Sequence, residues 1–247
     1  MSAELRAAYV LKFHEREIFL EPGEDSLDSG LEYVAPFSGD IICRREDPQE
    51  GLEPSPERDQ IVGRFQGYVI QAARALNDGV DLLDHCDAHS QDICDYAAAF
   101  YDKDGGFKEE LEAEFMDGGS GQNLLIIDEI ALHPAHRGRL VGLRTLRRLM
   151  EVLGDGCGFA ATIPHPLQFQ QDGVDELAQH PERSRKRAEQ QLALYIDRLG
   201  FERLPGTRMY AWSLAQRLPD LEIVGRPAKV LPLLFKSQSA DADLPSA

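Results

Sequence analysis

The sequence has no long hydrophobic run. None of its segments approaches the roughly 18 consecutive apolar residues that a membrane helix needs, and the opening Met-Ser-Ala-Glu-Leu-Arg lacks the apolar core of a signal peptide. A cytoplasmic chain with no membrane partner is expected. Cysteine is scarce: Cys43, Cys86, Cys94 and Cys157 show no framework spacing, so they read as reduced thiols rather than a disulfide scaffold. Positive charge is in short supply too, with 26 Lys and Arg against 43 Asp and Glu and a net charge of −17. Such an acidic field disfavours binding to a phosphate backbone, which argues against a nucleic-acid partner. A basic or amine-bearing substrate suits it better, although the same acidity also serves solubility alone. No internal repeat is present.

What remains is an ordinary globular composition, 43% hydrophobic and 28% charged over 247 residues. This length allows one large domain, or a medium domain with extensions. Residues 8–20 and 31–44 carry β-branched and aromatic residues between turn-rich breaks, which predicts strands. Residues 46–59 are polar and proline-rich, as in an exposed loop, and a strand is predicted over 61–72. From 80 to 101, Leu83, Cys86, Ile93, Ala97 and Phe100 recur at helical spacing, which predicts one helix, with a second short helix over 107–115. The dense Leu and Ile of residues 123–132 predict a buried strand. A helix follows over 137–153, with Leu146, Leu149, Met150 and Leu153 on one face, then a strand over 159–163. A helix over 182–199 should bury Ala188, Leu192, Tyr195, Ile196 and Leu199. Short strands over 201–204 and 209–214 flank Pro205 and Gly206 as a hairpin would, and the acidic residues 237–247 read as a disordered tail. The organisation expected is a strand-rich extension over 1–58, a domain over 59–215 and a C-terminal extension over 216–247.

Chemistry concentrates where the strand ending in Asp128-Glu129-Ile130-Ala131-Leu132 runs into His133-Pro134-Ala135-His136-Arg137-Gly138-Arg139-Leu140-Val141-Gly142. A strand, a tight basic loop and a helix start follow one another directly. Free N–H groups and the positive dipole end at a helix N-terminus form a site for a pyrophosphate without any particular side chain. Arg137, Arg139, Arg144, Arg147 and Arg148 gather positive charge here in an otherwise acidic chain.

This segment resembles the pyrophosphate loop of the GNAT superfamily of N-acetyltransferases, Arg/Gln-x-x-Gly-x-Gly/Ala after a strand ending in a hydrophobic-x-Pro. Arg137, Leu140 and Gly142 occupy its three defining positions, with Leu140 standing where the first glycine is usual. Leu194-Tyr195-Ile196-Asp197-Arg198-Leu199-Gly200-Phe201 is similar to the family's helix-to-strand segment ending in Leu-Gly-Phe. The resemblance covers roughly residues 61–214. It implies an α/β fold with a mixed, mainly antiparallel sheet flanked by helices. It also implies acetyl-CoA or another acyl-CoA as cosubstrate and direct transfer to an amine in a ternary complex, with no metal. Residues 137–142, namely Arg137, Gly138, Arg139, Leu140, Val141 and Gly142, would hold the cofactor, and backbone groups of Ile130, Ala131 and Leu132 would face the thioester and its oxyanion.

The resemblance further implies a carboxylate base on the central strand. Glu129 is the candidate, with Asp128 expected on the opposite face by the two-residue period of a strand. The family's frequent acid is a tyrosine four residues before the Leu-Gly-Phe glycine; that position is Ile196 here, and Tyr195 is the nearest tyrosine. Asp87, His89 and Ser90 are candidates for contact with the acceptor, an amine on a small molecule, a protein N-terminus or a lysine. A homodimer is compatible with the sequence. Two rival readings are a non-catalytic acyl-CoA-binding or regulatory protein, and a metal-dependent hydrolase using His85 and His89, which share a helix face at i and i+4.

Overall fold

The computed structural model describes residues 7–14, 33–45, 59–115, 121–165 and 181–218. Seven strands form one open sheet in the order β1-β2-β3-β4-β5-β7-β6: β1 Ala7–Phe13, β2 Val34–Arg45, β3 Asp59–Ile70, β4 Asn123–Leu132, β5 Cys157–Thr162, β6 Glu202–Arg203 and β7 Tyr210–Ser213. Every neighbouring pair is antiparallel except β4 and β5. Among the described residues six helices complete the α/β fold: α1 Ala72–Asp78, α2 Leu82–His89, α3 Gln91–Phe100, α4 Glu109–Phe115, α5 Val141–Leu153 and α6 Pro181–Arg198. The expected mixed, mainly antiparallel sheet is present. Strands β1 and β2 belong to that same sheet.

Each face of the sheet has its own core, as the alternation of strand side chains requires. Ile70, Leu124, Ile126, Phe159 and Ala211 pack against Ile93, Tyr96, Ala97 and Phe100 of α3 and Cys86 of α2. On the other face Phe65, Leu125, Ile127, Ala160 and Trp212 meet Leu146, Leu149 and Met150 of α5 and Ile196 and Leu199 of α6. The helix predicted over 80–101 is two helices broken at Ser90. The extended backbone of Ser90 (φ −169°) lets its Oγ accept from the Ile93 N–H and cap α3, a preference of serine at helix starts. Helix α1, ended by the left-handed Gly79, was not anticipated. The predicted helix over 137–153 begins only at Val141, because a single 3₁₀ turn at Pro134–His136 and a left-handed Leu140 precede it.

All four cysteines are unpaired thiols. Burial pushes Cys86 up to about 12 and Cys157 up to about 11, so both are protonated near neutrality. Of the predicted loop at 46–59 only Asp59 is described, and it opens β3; the rest of that loop and the tail at 237–247 lie outside the described residues.

The Leu-Gly-Phe turn after α6 shows why glycine stands there. Gly200 has φ +90°, and a Cβ built on it would collide with the Trp212 ring on β7. Left-handed backbone costs a non-glycine residue about 1–2 kcal/mol, and overpacking adds about 1–3 kcal/mol. Gly200→Ala should therefore lower stability by about 2–5 kcal/mol. Urea unfolding followed by fluorescence of Trp212, the sole tryptophan, measures it directly. An unchanged midpoint would mean that the helix end and the ring do not meet.

Candidate active site

Strand β4 pairs with β5 only from Asn123 to Ile126, the last partners being Ile126 and Ala161. Beyond that point no strand among the described residues covers the β5 side of β4. The His133 N–H bonds the Val62 carbonyl of β3, whereas the Leu132 carbonyl, aimed the other way, accepts from Arg137 Nε at 2.9 Å. Antiparallel alternation then turns the backbone of Ala131 toward β3 and that of Ile130 into the open split. Of the three residues proposed to face a thioester, Ile130 offers its N–H there. The Leu132 carbonyl serves instead to tie down the arginine.

A register shift moves the carboxylates. Gln66 of β3 stands opposite Glu129 and Gly67 opposite Ile127, which leaves Asp128 as an extra, bulged residue. A bulge breaks the two-residue period, so Asp128 and Glu129 share a face instead of opposing each other. Asp128 accepts from Gln66 Nε2 at 3.2 Å, and Glu129 pairs with Arg64 Nε at 2.8 Å, Arg64 and Gln66 lying on the same side of β3. The expectation that only one acid could face the cleft is thereby corrected. Ile130 and Leu132 turn to the α5 side, where they pack on the second core.

The two acids differ in environment. Glu129 is held by a guanidinium. Asp128 has no ion-pair partner among the described residues, and burial, with repulsion from Glu129 and Asp92, raises its pKa against the opposing effects of Gln66 and His165. Around it stand Tyr68 of β3 and Tyr96 of α3, whose phenols are both raised, first by burial and then by the charges of Asp128 and Asp92. His89, at the end of α2, sits edge-on to Tyr68 with ring centroids 5.8 Å apart. Its Nδ1 is buried and has no hydrogen-bond partner.

The other acceptor candidates do different work. Ser90 caps α3, and Asp87 is exposed and directed at Cys94. Asp92, Tyr68 and Tyr96 were not singled out in the sequence, and Asp128 entered only as the acid expected to face away from Glu129. A serine N-cap at position 90 was the available signal that Asp92 opens a new helix.

At the far end of β4, residues 137–142 lead into α5. The first N–H groups of the helix, from Val141 onward, lack intrahelical partners, and Leu140 supplies no side-chain cap. A Cβ on Gly142 would meet only a Leu132 methyl at 3.6 Å, so the approach to these amides is open. The loop is fastened at Arg137, through Leu132, and at His136, whose Nδ1 lies 3.2 Å from the Tyr9 hydroxyl of β1. Burial and the charges of Arg139 and His133 lower the pKa of His136 from the ordinary histidine value. Arg139 and Arg144 are exposed near the helix start, while Arg147 and Arg148 both pair with Glu151 one turn further on.

Tyr195 is 40% exposed, with the Arg198 guanidinium 5.9 Å from its ring centre, and Ile196 takes the buried position beside it. A one-residue displacement turns a helical side chain by about 100°, which carries this tyrosine outward. It is neither in the core, as its place on the predicted apolar face required, nor joined to the carboxylates by any contact. His85 lies edge-on to Tyr33 at 4.9 Å. Among the described residues no group of three or more His, Cys, Asp or Glu side chains is arranged to hold a metal ion. No protein-family model, curated protein or solved structure matches the chain.

Leu140 is the only non-glycine residue with positive φ (61°) among those described. That conformation costs a leucine about 1–2 kcal/mol, whereas a glycine loses about 0.5–1 kcal/mol of chain entropy on folding. Leu140→Gly should therefore leave the protein equally stable or more stable by up to about 1 kcal/mol, read from the denaturation midpoint. A large loss would show that the leucine side chain, not the backbone shape, holds the loop.

Proposed function

We propose that the chain is an acyl-CoA-dependent N-acyltransferase of GNAT type, moving an acetyl group from acetyl-CoA to an amine. The observation that carries this reading is one juxtaposition on β4. An uncapped helix start lies at the strand's end, a backbone edge unpaired among the described residues at its middle, and a carboxylate with a raised pKa, Asp128, beside that edge. The pyrophosphate would sit on the amides that open α5, with Arg137 and Arg139 beside it. The pantetheine arm would enter the split between β4 and β5, and the thioester oxygen would meet the Ile130 N–H, which stabilises the oxyanion as it forms. The amine attacks the carbonyl carbon; as its nitrogen becomes acidic in the tetrahedral intermediate, Asp128 takes the proton. The carbon–sulfur bond then breaks, and the thiolate leaves with a proton from solvent. Glu129, engaged by Arg64, raises the proton affinity of Asp128 by like-charge repulsion.

Calorimetry with acetyl-CoA tests the cofactor site. Gly142→Glu, which sets bulk and negative charge beside the pyrophosphate, should abolish binding, while Gly142→Ala, with room for its methyl, should keep it. Equal affinity in all three proteins would place the site elsewhere.

The base is tested separately. The raised pKa of Asp128 means that the folded protein holds this proton more tightly than the unfolded chain. The stabilisation is thus present at low pH and lost as pH rises through the folded value. Asp128→Asn should be no less stable than wild type at pH 7, yet lower kcat/KM for thiol release by about 10²–10⁴. The acidic limb of the wild-type rate profile, set above the ordinary carboxylate range, should vanish with it. Full activity in the variant would return the role to Glu129 or to solvent.

A further inference from the structure

The loop that leads from β4 into α5 has one of its fastenings on a distant strand. Strand β1 is separated from β4 by β2 and β3. Tyr9, in the middle of β1, stands opposite Cys43 of β2, and its side chain packs on the second core, on the side of α5. From there its hydroxyl lies 3.2 Å from His136 Nδ1, a contact between residues 127 positions apart in the chain. The two rings meet edge-on, with centroids 6.0 Å apart and planes at 85°, so ring packing and a hydrogen bond fix the same pair. Just upstream, the His133 N–H bonds the Val62 carbonyl of β3, so the turn at Pro134–His136 is held at both ends. The backbone then takes left-handed steps at Gly138 (φ 73°) and Leu140 (φ 61°) before α5 begins at Val141. Where His136 sits therefore sets the point from which residues 137–142 reach the helix.

Resting on the acyl-CoA reading above, we propose that Tyr9 is a positioning residue for the cofactor. Through His136 it holds residues 137–142 where their amides meet the pyrophosphate, without touching the ligand itself. A loop fixed before its ligand arrives loses less conformational freedom on binding, and affinity rises by the cost avoided. The bond from Arg137 Nε to the Leu132 carbonyl ties the loop only to the strand it leaves. Tyr9 ties it to the opposite side of β3, and two anchors on different strands restrict a swing that one anchor allows. Tyr9 also lies outside residues 61–214, over which the sequence resembles the acetyltransferases, so no motif of that family points to it.

The test is a double-mutant cycle read by calorimetry, with wild type, Tyr9→Phe, His136→Leu and the double variant. Tyr9→Phe keeps the ring and removes the hydroxyl, and should raise the Kd for acetyl-CoA by about three- to tenfold, the worth of one net hydrogen bond. His136→Leu should weaken binding at least as much, and the double variant should bind no worse than the weaker single variant, because the second change finds no bond left to break. S-acetylpantetheine, titrated as a competitor, carries the thioester arm without the pyrophosphate, and its affinity should stay as in wild type. A general loosening of the fold would weaken both ligands alike. Equal Kd for acetyl-CoA in wild type and Tyr9→Phe, additive losses in the double variant, or a loss shared by S-acetylpantetheine would overturn the role of Tyr9 and leave acyl-CoA binding standing. Failure of the wild type itself to bind acetyl-CoA would sink the cofactor reading and this one with it.

Discussion

The cleft depends on the register shift between β3 and β4, where Asp128 is left over between two paired residues. In a regular strand the acids at 128 and 129 would point to opposite faces, one of them into the apolar packing of α5. The extra residue puts both on the side of α3 and turns Ile130 and Leu132 toward α5, where an apolar side chain is needed. Without the shift, either a carboxylate would be buried among leucines or two isoleucine-sized groups would face the polar cleft. Bulges also increase local twist. The divergence of β4 from β5 just beyond Ile126 follows at the position where that twist is added.

Two unfavourable features lie close to this point, and both are local. Leu140 holds a backbone shape that suits glycine, and burial with the charges of Glu129 and Asp92 raises Asp128 against the smaller opposing effects of Gln66 and His165. The cores on either side of the sheet offset them. Large side chains such as Leu149, Phe65 and Phe100 are almost fully buried, and truncating any one of that kind costs about 2–5 kcal/mol. The strain at the loop is smaller than one such contribution, so the fold tolerates it while the helix start keeps its free amides.

The β4 strand and the buried stripe of α5 were legible, because Leu and Ile density and helical spacing are patterns in residue type. The break at Ser90 was legible in principle, since a serine ahead of Gln91 and Asp92 is a helix start, but the apolar spacing on both sides kept the same phase and hid it. The end of α1 at Gly79 carried the usual glycine signal as well. The bulge at Asp128 had no signature in the sequence. It arises from pairing with β3, whose Gln66 and Arg64 lie more than 60 positions away, at separations of 62 and 65. Hence Glu129 was picked over Asp128 as base, and the region around Asp92, Tyr68 and Tyr96 went unnoticed. Tyr195 failed for a simpler reason: a single residue's displacement decides which way a helical side chain looks.

Among the described residues, strand β4 is paired on both sides over residues 124–126 and on the β3 side only beyond Ile126. Its two halves therefore have unequal compliance. The clamped half sits between both cores and moves only with the whole sheet. The outer half can bend about Asp128 while straining just its pairing with β3. A guest wedged into the split would thus push against a leaf spring rooted in a rigid block, and widening it for a bulkier acyl chain would leave the packing of α3, α5 and α6 undisturbed.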